Sequence, residues 1–314
     1  MDKIAYRIGN WREYNKALKE RSNLAVWWNK EVQKNWYASS CKKSEERGRP
    51  HRYSNQCIEF ALTIRSLFQL PLRSTQGFLE GFFKLLHLDF QVPHYSCLSR
   101  RASALKVQYN SKKARGSPID LVIDSTGLKI YGEGEWKTRI HGKAKKRTWR
   151  KLHVAVDPND FKTVSLALTE GTVHDSTIMP KLLKNKKHVG IVYADAAYIS
   201  KKCFDAIAKI GATAKIALKA ALNLVKKKIS IGLQMRNDLI KEIFQSGGLV
   251  AWKKKSGYHK RSLVETHMYR FKAIFGPLLS SRSFLNQVAE VKIKTKILNK
   301  MTALGMPHSY KILS

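Results

Sequence analysis

Two aspartates stand where an unpaired carboxylate is costly. Asp124 ends the apolar run Leu121-Val122-Ile123, and Asp195 follows Ile191-Val192-Tyr193-Ala194. Neither has a lysine or arginine beside it in sequence. A charge among apolar strand residues is expensive unless it is paired or binds a cation. Two carboxylates on two strands suit a hard divalent ion, Mg2+ with Mn2+ as its substitute. The plainer alternative is that each aspartate caps a strand end or the turn after it.

A third acid lies far downstream. Asp238, Glu242, Glu265 and Glu290 are the acids from residue 206 onward, against 21 lysines and arginines. On an α-helix turning about 100° per residue, Tyr258, Arg261, Glu265 and Lys272 share one narrow face. Val264, Met268, Phe271 and Phe275, spaced +4, +3, +4, form the adjoining apolar stripe. Such a helix packs by its stripe and holds a Tyr–Arg–Glu–Lys row at the edge of the contact. An i,i+4 ion pair between Arg261 and Glu265 on a solvated face explains two of the four residues.

These acids need elements to position them. Residues 117–132 (SPIDLVIDSTGLKIYG) are β-rich and alternating, KLHVAVD (151–157) and TVSLALTEG (163–171) are two further strands, and GIVYADAAYIS (190–200) reads as a buried strand running into a turn. SKKCFDAIAKIG is a helix ending at Gly211, and ATAKIAL a fifth strand. A meander followed by strand–helix–strand is an α/β order. Before residue 117 the texture is helical. Ser54 caps one helix, Ser74 is a candidate cap for a second, and a short third carries Arg100 and Arg101. Three short helices with a basic last one suit a helix-turn-helix-like DNA-binding region, although any small helical bundle shows the same apolar pattern. The expected organisation is a helical region over 1–116 and a catalytic domain over 117–314, with a short insertion around 219–256.

The whole chain has 314 residues and a formal net charge of +36. Self-repulsion of that size points to a polyanionic partner, and nucleic acid is the default. Eight basic residues crowd into 137–151, among them Lys145, Lys146, Arg147, Arg150 and Lys151. Between two strands they suit a phosphate backbone, and a solvated basic loop is the alternative for each. No apolar run is long enough to cross a bilayer, and the N-terminus lacks the apolar core of a secretory signal. Four scattered cysteines without a C-x-x-C pair fit a reducing compartment. The expected setting is therefore the cytoplasm, in association with the nucleoid and without a membrane.

The spacing of Tyr258, Arg261, Glu265 and Lys272 is Y-x2-R-x3-E-x6-K, and on it the chain resembles the bacterial insertion-sequence transposases of the DDE superfamily, specifically insertion-sequence family five. Asp124-Ser125-Thr126-Gly127 matches the family's first aspartate, in a D-[ST]-T-G-like turn. Asp195-Ala196-Ala197-Tyr198-Ile199 stands where the family has D-G-A-Y-D, without its glycine and second aspartate. The segments 141–157 and 171–176 are similar to family segments too, and the resemblance covers essentially the whole chain. It implies a ribonuclease-H-like core in which Asp124, Asp195 and Glu265 are catalytic and bind divalent ions. It also implies that Tyr258, Arg261 and Lys272 contact DNA near the scissile phosphate, and that the protein works as a multimer on double-stranded element ends and target DNA. A non-catalytic DNA-binding regulator and a stand-alone metal-dependent nuclease are the competing readings. His174-Asp175 reads as a turn cap near the site, with Asp175 a candidate for support of the acids. Trp252 is a weak candidate for stacking on a flipped base.

Overall fold

The structure is a computed structural model that describes residues 5–38, 51–109, 118–130, 149–218, 224 and 230–312. The chain divides into two compact units, Met1–Gln108 with Ser283–Ser314 and Tyr109–Arg282.

The first unit holds β1 (Ala5–Ile8), α1 (Trp11–Ser22), α2 (Leu24–Trp27), α3 (Lys30–Lys34), α4 (Asn55–Leu67), α5 (Leu72–Leu85) and α6 (Tyr95–Ala102). Ser54 caps α4 as expected, its Oγ accepting the Cys57 N–H at 3.0 Å. α5 starts earlier than expected, at Leu72, because Pro71 already carries a φ of −59° and ends the preceding turn. Ser74 therefore lies inside the helix. α4, α5 and α6 pack on one another. Trp27, Trp28 and Trp36 are core, whereas Trp11 is exposed: the Trp36 ring lies 5.2 Å from Phe83 and 5.3 Å from Trp28, and its Nε1 donates to the Gln91 carbonyl at 2.9 Å.

The C-terminal end belongs to the first compact unit. Here α12 (Phe284–Leu304) packs on α1, α4 and α6, and β8 (Ser309–Ile312) pairs antiparallel with β1. The Asn286 amide donates to the Ser99 carbonyl, and Lys296 pairs with Glu59. The apolar face of α4 is completed by a helix more than 200 residues away in sequence, which no local pattern announces.

The second unit is a mixed α/β fold. Its strands are β2 (Ile119–Ile130), β3 (Trp149–Val156), β4 (Thr163–Glu170), β5 (Val189–Ala194) and β6 (Thr213–Ile216). They lie in the order β4-β3-β2-β5-β6, with β2, β3 and β4 antiparallel and β5 and β6 parallel to β2. A two-residue strand, β7 (Leu278–Leu279), pairs with the far end of β2. The helices are α7 (Asp175–Leu183), α8 (Lys201–Lys209), α9 (Ile231–Gln245), α10 (Leu249–Lys255) and α11 (Leu263–Phe275). Leu121, Val122 and Ile123 are fully buried, as a central strand requires. The arrangement is consistent with the expected ribonuclease-H-like core.

One local expectation changes. Asp124-Ser125-Thr126-Gly127 is continuous strand rather than a turn. A Cβ on Gly127 would lie 3.1 Å from the ring of Trp149, so this glycine makes room for a cross-strand aromatic.

Candidate active site

The sheet register brings the two aspartates together. β2 and β5 run parallel with Val122 opposite Tyr193. Two residues further on, the same register sets Asp124 level with Asp195, just where β5 ends. Neighbouring strands are about 4.8 Å apart, so the backbones at these two positions are separated by one strand gap. The carboxyl ends of parallel strands are where open α/β sheets bind ligands.

Each aspartate gives one oxygen to its own backbone. Asp124 Oδ1 accepts the Ser125 N–H at 2.7 Å, and Asp195 Oδ1 accepts the Ala197 N–H at 2.9 Å, capping the 3-10 turn Ala196–Tyr198. The capping alternative is therefore true of one oxygen and leaves the other. Asp124 Oδ2 pairs with Arg261 Nη2 at 3.1 Å, and Arg261 Nη1 pairs with Glu265 Oε1. Glu265 sits in the first turn of α11, where the helix dipole favours a negative charge.

Burial pushes the Asp124 carboxyl above the ordinary aspartate range. The Ser125 N–H and Arg261 oppose that rise, and the charges of Asp195 and Glu265 add to it. Burial also works against the charge of Arg261, yet Asp124, Glu265, Tyr258 and Asp195 together hold its guanidinium above the ordinary value. Three carboxylates thus share one electrostatic neighbourhood with one guanidinium. Their hard oxygens fit a divalent cation in chemistry. In spacing, no three His, Cys, Asp or Glu side chains gather closely enough to hold a metal among the described residues. Arg261 bonds to both Asp124 and Glu265 and already serves as their cation.

The row predicted on one helix face is split. Tyr258–Ser262 is a 3-10 turn entered through Gly257 at φ +68°, and α11 starts only at Leu263. In a 3-10 turn residues three apart eclipse. Tyr258 consequently points inward and donates its hydroxyl to the Ala194 carbonyl at 3.0 Å, immediately before Asp195. It ties the glutamate segment to the second aspartate and does not face solvent. Lys272 is half-buried, about 10 Å further along the helix axis than Glu265 at 1.5 Å per residue. The stripe Val264, Met268, Phe271 and Phe275 is buried as expected.

Other expected DNA contacts are engaged internally. Arg101 bonds the Tyr53 carbonyl and the Asn55 side chain, bracing α6 against the start of α4, whereas Arg100 is exposed. Lys151 donates to the Val173 carbonyl at 3.1 Å and pairs with Asp175 at 3.4 Å. Arg150 lies 3.5 Å from Glu170. Lys145, Lys146 and Arg147 lie outside the described residues, as does much of 219–229. Trp252 is fully buried with its Nε1 donating to Glu242 at 2.9 Å, so it offers no face to a flipped base.

Sequence reasoning missed a polar group behind the aspartates. His153 is fully buried on β3, with Nε2 2.9 Å from Thr169 Oγ1 and Nδ1 3.3 Å from Asp175 Oδ1. Burial pushes its pKa down to about 4 against the pull of Asp175, so the ring is neutral at neutral pH. Asp175 opens α7, and His174 occupies the cap position without a side-chain bond to the helix. Tyr198 ends the turn that Asp195 caps. The segments HVAVD and GTVHDS were the available signals, but their meeting depends on the fold.

Comparison with known protein families bears on this geometry. A family model described as a transposase DDE domain matches residues 115–300, more than half of the chain and all three acids. A second model of the same description matches residues 19–133. With Asp124, Asp195 and Glu265 all inside the matched region, the chain belongs to the DDE transposase family.

Proposed function

We propose that this chain is a transposase of insertion-sequence family five that binds the terminal inverted repeats of its own element and catalyses divalent-metal-dependent strand cleavage and strand transfer. The observation that carries the reading is the Asp124–Arg261–Glu265 bridge beside Asp195. Three acids drawn from two strands and a helix converge in a protein that is otherwise strongly basic.

A bound Mg2+ or Mn2+ would polarise the phosphoryl oxygens and activate an attacking oxygen. Asp124 and Asp195, fixed by adjacent strands, would be its strand-borne oxygen ligands. Glu265 approaches from the end of α11. Arg261 neutralises Asp124 and Glu265, and its guanidinium would suit a DNA phosphate as a bidentate partner. Tyr258 keeps the glutamate segment registered on β5. Water attacks at the element end and frees a 3′-hydroxyl, which then attacks target phosphorus and displaces a 3′-oxygen. No covalent protein–DNA link forms. Lys272, Arg100 and Arg150, with Lys145, Lys146 and Arg147, are the candidate phosphate contacts. The helices of the first unit are the candidate end-binding region, and two ends held together call for a multimer acting on nucleoid DNA.

The test is a joining assay with the full chain, matched element ends and target DNA. The expected products are 3′-hydroxyl ends followed by joined strands, only with Mg2+ or Mn2+. Cutting without end preference or joining would make the protein a nuclease. End binding without cutting would make it a regulator.

A further inference from the structure

In the first unit, segments from the two ends of the chain meet in an exposed ribbon. β1 and β8 pair antiparallel, from Ala5 opposite Ile312 to Ile8 opposite Ser309. A sheet of two strands is marginal by itself, and this one is pinned at its base. The Gly9 N–H donates to the His308 carbonyl at 2.8 Å, and the Asn10 side chain donates to the Met306 carbonyl at 3.0 Å and accepts the His308 N–H at 2.7 Å. Arg21 donates to the Gly305 carbonyl at 2.8 Å. Beyond that base neither strand packs extensively on a third element among the described residues. Residues opposite one another on antiparallel strands share a face, so Tyr6 and Lys311 lie on one face and Arg7 and Tyr310 on the other. Tyr6 is 66% exposed and Tyr310 54%, and Arg7 and Lys311 are exposed with them.

We infer that the β1–β8 ribbon is a duplex-DNA contact, entering a groove so that its two faces meet the phosphates of the two walls. The inference rests on the DNA transposase reading above and adds to it a contact outside the helices. Charge selects the partner. Over 5–19 and 305–312 the chain carries Arg7, Arg12, Lys16, Lys19 and Lys311 against one acid, Glu13. Arg7 and Lys311 have no ion pair among the described residues. A second copy of the ribbon would set these cations against their own kind, whereas a duplex offers one negative charge per about 1.7 Å of its axis. Shape agrees with charge. The major groove of B-DNA, about 12 Å wide, admits a two-stranded β-ribbon, and four residues at about 3.3 Å each reach about 13 Å. A flat protein partner would need only one face, but here each face carries a tyrosine and a cation. The cations neutralise phosphates, and tyrosine hydroxyls donate to phosphate oxygens.

The test titrates the full chain into a labelled duplex of unrelated sequence at several salt concentrations, with three double variants. Arg7→Gln/Lys311→Gln removes both ribbon cations, and Arg7→Lys/Lys311→Arg keeps them. Lys181→Gln/Lys184→Gln removes two exposed cations of the second unit. Each phosphate contact contributes about 0.9 to the slope of log K against log salt. The first double should therefore flatten that slope by about two and weaken binding about tenfold or more. The charge-keeping double should bind like wild type, and the second-unit double should keep the wild-type slope. An unchanged slope in Arg7→Gln/Lys311→Gln would overturn the inference, as would an equal loss in either of the other doubles. Wild-type protein that binds no duplex at any salt concentration fails the DNA reading as well, a separate outcome.

Discussion

Two acid–base clusters in this molecule look alike in sequence and differ in kind. In the second unit, Arg261 and Glu265 are an i,i+4 pair, and Arg261 also reaches Asp124. In the first unit, Glu290 and Lys294 are an i,i+4 pair on α12 with Nζ and Oε1 2.8 Å apart. The Glu290–Lys294 side chains pair with each other, are 4% and 7% exposed, and are enclosed by the core. Glu265 is 56% exposed, and its guanidinium is shared with Asp124 in the field of Asp195. Carboxylates in excess of their cation, open to solvent on one side, mark a place that can take more positive charge. An enclosed pair marks a place that cannot.

The contrast is sharpest for the acids themselves. Asp124→Asn, Asp195→Asn and Glu265→Gln should each lower end cleavage by about a thousandfold or more, several kcal/mol of transition-state stabilisation. All three should still bind ends. Asp124→Asn should also keep or raise the melting temperature at neutral pH. The folded carboxyl titrates above its unfolded value, so its charge form costs stability once pH rises past the ordinary aspartate range. Thermal melts beside a single-turnover cleavage assay check both parts. An active Asp124→Asn enzyme would dissolve the distinction between the clusters.

Lys294→Met should do the reverse. It leaves Glu290 buried without its lysine, which costs roughly 3–5 kcal/mol for an enclosed pair. Pairing it with Glu290→Gln should recover much of that loss. Urea denaturation reads both. The specific activity of the folded fraction should not change.

The smallest effect concerns Arg261. If the guanidinium acts as the resident cation, Arg261→Gln should tighten Mn2+ binding to the DNA-free protein by about tenfold, equivalent to about 1.4 kcal/mol. The same change should weaken cleavage, because the phosphate contact is lost. Weaker Mn2+ binding would show instead that Arg261 organises the acids for the metal.

Much of this was legible in the residues. Continuous apolar runs before Asp124 and Asp195 specify central strands, because burial on both faces is written in consecutive residues. The +4, +3, +4 stripe of α11 specifies a helix because that period too is local. Ser54 as a cap and Gly211 after α8 are equally local, with Gly211 at φ +70°. Tertiary structure decided what those elements do together. The β2–β5 register that levels Asp124 with Asp195 joins residues 71 apart, and nothing in either strand states which neighbour it will find. The 3-10 entry to α11 follows from the Tyr258–Ala194 bond, which turns a residue expected at the DNA into a tie between the helix and β5. The β1–β8 ribbon is visible only once segments from the two ends of the chain meet. Sequence sets which residues are costly to bury. The fold sets which of those costs are cancelled by a neighbour and which are left open, because that depends on partners brought together across long stretches of chain.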